Sequence, residues 1–77
     1  MLFIWPELSR KCMWMKDTSI PLSLAYLDEN FSIREIYNLE PFSLESQCSK
    51  SNKIKYALEM NQGWFKKNNV TIFSKLK

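Results

Sequence analysis

The sequence contains no histidine, one glycine and only two cysteines. Without histidine the chain has no imidazole to act as a metal ligand, as a general base or as a member of a Ser–His triad. Two cysteines alone are too few for a structural zinc site, which takes four ligands. A single glycine does not allow a glycine-rich phosphate-binding loop. These absences exclude several catalytic and metal-dependent classes, and we expect no cofactor.

The chain also lacks a long hydrophobic run. No segment approaches the roughly 20 apolar residues of a membrane-spanning helix, so we expect no transmembrane segment. The apolar start, residues 1–6, is too short for a signal peptide and has neither a basic region nor a small-residue cleavage site. We therefore expect a cytoplasmic protein as the chain stands, and a periplasmic or cell-envelope protein if a leader lies upstream.

The 77 residues suffice for one domain with a small core. A chain of this mass buries about 63% of its unfolded surface on folding. A composition of 45% hydrophobic and 14% aromatic residues supplies that core and argues against disorder. The net charge is +3, but the lysines form two loose groups rather than one stripe. We therefore expect no specific nucleic-acid binding.

Cys12 and Cys48 allow two interpretations. We favour two free thiols in a reducing compartment, one of them buried and the other in a loop. If they are bridged instead, they close a loop across the 35 residues between them and stabilise the fold by about 4 kcal/mol.

Apolar residues recur with a period of two through most of the chain, which predicts strands rather than helices. Turn signals recur every ~8–12 residues in the first half, which is typical of a small antiparallel sandwich or barrel-like sheet. We predict a mainly β fold of about six short strands with one short helix near the C-terminus, and an α+β fold is the alternative. The predicted strands span residues 2–5, 11–15, 22–27, 31–38, 53–60 and 70–73, and the helix spans residues 64–68.

Four residues are assigned structural roles. Pro21 drives the preceding residue into an extended conformation. Asn30, in the hairpin loop 28–30, is placed to adopt the left-handed conformation where glycine is more usual. Gly63 ends the strand 53–60, and Trp64 packs at the start of the short helix. In the strand 31–38 the isoleucines at 33 and 36 fall on opposite faces, which predicts a two-sided sheet or a β-bulge.

The sharpest local feature is Trp14-Met15-Lys16-Asp17-Thr18, followed by Ile20-Pro21-Leu22. A strand ends in an aromatic residue and then presents a cation, an anion and a hydroxyl on a tight turn. Asp17 and Thr18 can hydrogen-bond their own backbone, which leaves Lys16 to face a ligand carboxylate or phosphate. A purely structural corner is the alternative.

Glu59 is the acid in the strand with the cleanest alternation, 53–60. Its side chain is expected on the face opposite the inward-pointing apolar residues, where it can meet Lys16 or Lys55. Such a pair serves either as an acid–base pair or as an exposed ion pair worth ~1 kcal/mol or less.

Together these segments resemble the bacterial and archaeal domain of unknown function 192. The similarity covers nearly all of the chain in order and spacing. It rests on Met1-Leu2-Phe3-Ile4, Trp14-Met15-Lys16-Asp17-Thr18, Ile20-Pro21-Leu22, Glu40-Pro41, and Tyr56-Ala57-Leu58-Glu59 with Gly63. The resemblance implies a compact, mostly β domain and no established reaction.

Several positions depart from that family. Asp17 stands where the family usually has asparagine, Ser23 replaces an acid, and Asn30 replaces a glycine. Family members usually carry an upstream strand and a helical stretch, often behind a leader. We therefore expect residues 1–77 to form a single domain that is truncated at its N-terminus relative to the family.

Three functional hypotheses follow. We favour a non-enzymatic binding or accessory module for a small molecule or a protein. Its predicted site, without catalytic or metal-ligating residues, comprises Trp14, Lys16, Asp17, Thr18 and Glu59. The second hypothesis is an enzyme that uses Lys16 and Glu59 as an acid–base pair. The third is a shortened remnant without independent activity that needs a partner strand.

Overall fold

Four strands of the chain form one antiparallel sheet, and two shorter strands form another. The structure is a computed structural model and describes residues 1–75. Its elements are β1 (Leu2–Ser9), β2 (Cys12–Met13), β3 (Leu22–Leu27), β4 (Ile33–Leu39), β5 (Gln47–Cys48), β6 (Ile54–Asn61) and α1 (Trp64–Lys67). The strand order is β1-β6-β3-β4 in the larger sheet, and β2 pairs with β5. The mainly β prediction with one short C-terminal helix is confirmed, and the larger sheet is open.

The strand β3 lies inside this sheet and is buried on both faces. Residues 23–27 are all buried, as expected for a strand with a neighbour on each side and a core above and below. The first core contains Met15, Leu24, Tyr26, Leu39, Ile54 and Ala57. The second core contains Ala25, Leu27, Ile33 and Phe65.

The predicted irregularity in the returning strand is a bulge in β4. Tyr26 pairs with Glu35, but the next residue of β3, Leu27, pairs with Ile33, which leaves Arg34 as the extra residue. Because of that extra residue, Ile33 and Ile36 both contact the second core. The bulge therefore resolves the conflict between their spacing and a strict period of two.

The hairpin between β3 and β4 takes its left-handed residue one position later than predicted. The prediction for Asn30 is wrong, and Phe31 has the positive φ of 62°. The backbone N–H of Phe31 donates to the carbonyl of Asp28 at 3.1 Å, so Glu29 and Asn30 occupy the centre of the turn. The left-handed residue then follows the turn, as in longer hairpins that end in a bulge.

Strand β1 continues through the proline at position 6, beyond the predicted end of the strand at residue 5. β1 is an edge strand, so the missing N–H of Pro6 removes no bond from the interior of the sheet. The second predicted strand is shorter than expected and keeps only Cys12 and Met13. Around it, Lys11 and Met15 are buried and Cys12 is exposed, as alternation along an extended chain requires.

The predicted last strand, residues 70–73, is wrong. Asn69 and Phe73 both have positive φ, at 57° and 69°, which interrupts an extended ladder. Residues 73–75 instead hold the start of β4, where Phe73 donates its backbone N–H to the carbonyl of Ile33 at 2.6 Å. The structure still has six strands, because β5 forms between the predicted strands 31–38 and 53–60, where the sequence predicted no strand. Within residues 1–75 no helix is long and apolar enough to cross a membrane.

Cys12 and Cys48 form a disulfide, so the expectation of free thiols is wrong. The two cysteines are directly paired across β2 and β5, with their Cα atoms 4.0 Å apart. The strand pairing that places them together lies between segments far apart in sequence, which the local pattern did not reveal. The bridge joins the small sheet at its centre, and the hydroxyl of Tyr26 connects that sheet to the first core through the carbonyl of Gln47 at 2.5 Å.

Removing the bridge should destabilise the fold strongly. For the double variant Cys12→Ser/Cys48→Ser we expect the free energy of unfolding to fall by about 4 kcal/mol. The two positions are 36 residues apart in sequence, and without the bridge the unfolded chain between them regains its conformational entropy. Urea unfolding followed by tryptophan fluorescence measures this change. Wild-type protein in reductant is the control and should match the variant. An unchanged midpoint in both would contradict the assignment.

Glu35 fastens β4 to the segment after β5. Its carboxylate accepts the backbone N–H groups of Lys50 at 2.8 Å and Ser51 at 2.9 Å, and the hydroxyl of Tyr37 donates to the same group. Burial alone would raise the pKa of Glu35, but these hydrogen bonds outweigh it and hold the pKa below the ordinary 4.5. The folded state therefore favours the ionised form of Glu35.

This anchor should be sensitive to acid. For Glu35→Gln we expect a loss of about 1–3 kcal/mol at pH 7, because a charge-assisted acceptor is replaced by a neutral one. The wild type should lose the same stabilisation as the pH falls from 4.5 through its lower folded pKa, because the unfolded chain binds the proton more tightly. Urea unfolding at pH 7 and pH 3 measures both effects, and Glu29→Gln, at the exposed hairpin tip, is the control. An equal loss on acidification in wild type and Glu35→Gln would contradict this role.

Candidate functional site

A groove of about 440 Å³ opens where the start of β3 and the end of β6 meet the turn that precedes β3. Most of its wall is apolar, and three polar side chains interrupt it. A concave, largely apolar site with a few convergent polar groups is the usual form of a small-molecule site. The lining residues are Met1, Thr18, Ile20, Leu22, Glu59, Met60 and Asn61.

Glu59 reaches this groove from β6, where it pairs with Leu24 of β3. The sequence predicts Glu59 on the face opposite Tyr56, Leu58 and Met60, and those three residues do pack on the other side, against the second core. The face of Glu59 is also covered, because Ala57, two residues earlier, is fully buried in the first core. Glu59 is itself partly buried. Its burial raises the pKa of the carboxyl, and the α-amino group of Met1 lowers it to a smaller extent.

Thr18 reaches the groove from a turn that is closed by the backbone. The N–H of Thr18 donates to the carbonyl of Met15 at 3.0 Å, and Asp17 takes a positive φ of 65°, which aspartate tolerates better than most residues. The expected side-chain hydrogen bonds of Asp17 and Thr18 to this turn are absent within residues 1–75. The carbonyl of Thr18 accepts the N–H of Phe42 at 2.9 Å, so a second loop holds the turn in place.

Lys16 and Trp14 lie on the exposed outside of the same turn. The ammonium of Lys16 lies 5.6 Å from the ring centroid of Trp14, a cation–π arrangement, and Trp14 is 53% exposed. Neither residue lines the groove, and Asp17 does not line it either. The structure thus brings Thr18 and Glu59 together, and leaves the other three predicted binding residues outside.

Ser23 and Gly63 explain the junction beside the groove. Gly63 has a positive φ of 89°, and its N–H donates to the hydroxyl of Ser23 at 3.0 Å. That buried hydroxyl also donates to the side-chain oxygen of Asn38 at 3.3 Å. Ser23, which replaces an acid at this position, therefore has a structural role at the start of α1.

The other two residues assigned structural roles lie close by. Pro21 directly precedes β3, and its carbonyl accepts the N–H of Gln62 at 3.3 Å. Trp64 packs edge-to-face on Phe65, with ring centroids 5.4 Å apart, and it lies against the second core.

Five lining residues were not predicted as site residues, and the first three of them were noted only as parts of motifs: Met1, Ile20, Leu22, Met60 and Asn61. Leu22 and Asn61 face each other because β3 and β6 are neighbours in the sheet. A period of two identifies the faces of each strand but not which strands lie side by side. The missing signal was the pairing of two segments about 40 positions apart.

Comparison with known proteins places the chain in a family. Residues 1–77 match the family designated DUF192 and described as an uncharacterised ACR. The chain belongs to the DUF192 family. No curated protein matches it at a significant level.

Two solved structures share the fold of this DUF192 chain. One is from Sinorhizobium meliloti 1021 and is described as a candidate transcription regulator, with 33% identity and a TM-score of 0.95 over the whole of this chain and 60% of that one. The other is a protein of unknown function from Novosphingobium aromaticivorans DSM 12444, with 20% identity and a TM-score of 0.92 over the whole of this chain and 55% of that one. This chain therefore spans slightly more than half the length of both proteins.

Ionisation of Glu59 should lower the free energy of unfolding. Because the folded state raises its pKa, folding favours the protonated acid, and stability should rise as the pH falls through that raised pKa. For Glu59→Gln we expect the free energy of unfolding at pH 7 to rise by about 0.5–1 kcal/mol, within the range that single stabilising substitutions commonly give.

Urea unfolding of wild type and Glu59→Gln at pH 7 and pH 3.5 tests this expectation. The difference should shrink at pH 3.5, where both side chains are neutral in the folded state. The matched control is Glu29→Gln, an exposed acid that should change stability by less than about 0.5 kcal/mol. A loss of stability in Glu59→Gln at pH 7 would show that the carboxylate is a structural anchor.

Proposed function

We propose that this DUF192 chain is a small, non-enzymatic binding module whose ligand occupies the groove at the start of β3. The observation that carries the proposal is the convergence of Thr18 and Glu59 in a mainly apolar groove. Both residues are set on well-supported backbone, Glu59 in the sheet and Thr18 on a doubly hydrogen-bonded turn. Rigid elements of this kind hold a binding site with little loss of entropy on ligand capture.

An acid–base enzyme is less well supported by the same geometry. That hypothesis requires Lys16 and Glu59 within hydrogen-bond reach of each other. Lys16 is instead engaged with the ring of Trp14 outside the groove, and residues 1–75 contain no ion pair between it and Glu59. A single carboxylate beside a threonine hydroxyl provides recognition, but it lacks a second group to complete a proton-transfer pair.

Direct reading of DNA is not part of the proposal, although the relative from Sinorhizobium meliloti is described as a candidate transcription regulator. A recognition helix must place several side chains in the major groove, and α1 has only four residues. A two-stranded ribbon can also enter that groove, but β2 and β5 have two residues each.

The disulfide bears on where such a module would work. Disulfides persist mainly in oxidising compartments and are rare in the cytosol. The bridge between Cys12 and Cys48 therefore supports the periplasm or cell envelope over the cytoplasm as the proposed location.

A fragment screen by nuclear magnetic resonance tests the groove as the binding site. We expect hits to shift the amide resonances of Thr18, Ile20 and Asn61. Replacing the exposed Ile20 with serine should weaken those hits about fivefold, because it removes roughly 1 kcal/mol of apolar contact. Lys16→Ala, on the outside of the same turn, is the matched control and should leave the affinities unchanged.

Two results would contradict this assignment. One is a set of hits that shift only Trp14 and Lys16 and that disappear in Lys16→Ala, which would move the site to the exposed corner. The other is the absence of any hit at the groove resonances, which would leave the groove with a structural role alone.

A further inference from the structure

We propose that the groove selects small organic cations with an apolar body, such as primary amines carried on an alkyl or aryl chain. The inference rests on the proposed function, because it names the ligand class of the same groove. Three observations support it, namely the sign of the charge in the groove, the partners of that charge, and the apolar character of the surrounding wall.

Among residues 1–75, Glu59 is the only ionisable side chain that lines the groove. None of the lysines and arginines of residues 1–75 lines it, although the chain as a whole carries a net charge of +3. The α-amino group of Met1, which also lines the groove, is the positive charge of this lining. At the carboxylate of Glu59 an anionic ligand would meet like charge, whereas a cation would meet its complement.

The carboxylate of Glu59 has no hydrogen-bond or ion-pair partner among residues 1–75. The α-amino group of Met1 is close enough to lower the pKa of this carboxyl, but its hydrogen bond goes to the main-chain oxygen of Glu59 at 2.6 Å rather than to the side chain. Glu35, on the same face of the sheet, accepts two backbone N–H groups and a tyrosine hydroxyl. Glu59 thus keeps the acceptor capacity that Glu35 has already used.

The wall around this carboxylate is apolar. Ile20, Leu22 and Met60 contribute hydrophobic surface, and Ile20 remains 52% exposed and able to cover part of a ligand. A charged hydrogen bond gains strength in such surroundings, because little water competes for either partner. An apolar ligand body would bury this surface at the same time.

The polar groups of the groove also match the donors of a primary amine. An ammonium group has three N–H donors and no acceptor. The groove offers oxygen acceptors on three side chains, those of Thr18, Glu59 and Asn61. Thr18 and Asn61 can also donate, but the ionised carboxylate of Glu59 can only accept. A ligand alcohol has one donor for that carboxylate and a ligand carboxylate has none, so the amine is the best match to Glu59.

Three probes with the same apolar body test the ligand class, namely phenethylamine, phenethyl alcohol and 3-phenylpropanoate. Titration of the full 77-residue chain at pH 7.5, followed through the groove amide resonances, gives an affinity for each probe. We expect the amine to bind about tenfold more tightly than the alcohol and the carboxylate to bind most weakly. Glu59→Gln should remove the preference for the amine and leave the affinity for the alcohol unchanged.

Further variants separate the two proposals. Glu29→Gln, an exposed acid at the distant hairpin tip, should leave the preference intact, and Ile20→Ser should weaken the amine and the alcohol alike. Equal binding of amine and alcohol at the groove, or tighter binding of the carboxylate, would overturn the ligand class while preserving the proposed function. Failure of all three probes and of the fragment screen to shift the groove resonances would overturn both. A preference for the amine that survives in Glu59→Gln would overturn the assignment to this carboxylate.

Discussion

The antiparallel register between β3 and β6 determines both the core and the groove. It pairs Leu24 with Glu59 and Leu22 with Asn61, so that two core residues and two polar residues share neighbouring positions in the middle of the sheet. It also places β3 between two strands, which buries five of its residues in succession. If β6 shifted by one residue against β3, Ala57 and Glu59 would move to the face of the second core while Leu24 and Tyr26 stayed in place.

Local sequence patterns were sufficient to predict the features that depend on one strand and its immediate neighbours in sequence. The bounds of β3, the bulge in β4 and the break at Gly63 all follow from alternation, a displaced isoleucine and a residue that allows positive φ. These features depend on neighbours within a few positions. They require no knowledge of which strands meet in the sheet.

Features that depend on distant pairing were not predictable in the same way. The small sheet needs β2 and β5 to meet across more than 30 residues, and this pairing also creates the bridge between Cys12 and Cys48. The environment of Glu59 depends on the first core lying beneath its face, which the alternation around residue 57 did not show. The hairpin departed from prediction for a local reason, because Glu29 and Asn30 occupy the centre of the turn and the left-handed residue is Phe31, one position later than the residue types indicated.

Glu35 and Glu59 lie on the same face of the sheet, but their surroundings shift the pKa of each carboxyl in opposite directions. Burial raises the pKa of each, but three donors around Glu35 bring its pKa below the ordinary value, whereas Glu59 has no comparable donors among residues 1–75 and its pKa stays raised. The fold stabilises the ionised form of Glu35 and disfavours the ionised form of Glu59. Carboxyl groups whose surroundings push their pKa values apart commonly have different roles in this way.

Pro6 gives the free edge of the sheet a further property. β1 exposes Leu2 and Ile4 along an edge that no other strand of residues 1–75 covers. Such an edge attracts other strands, and proline is one of the residues that limits this. Because Pro6 has no N–H to offer, an incoming strand meets an interrupted ladder halfway along β1. Intermolecular sheet growth from this edge is thereby confined to the few residues before the proline, which protects the chain against extended aggregation.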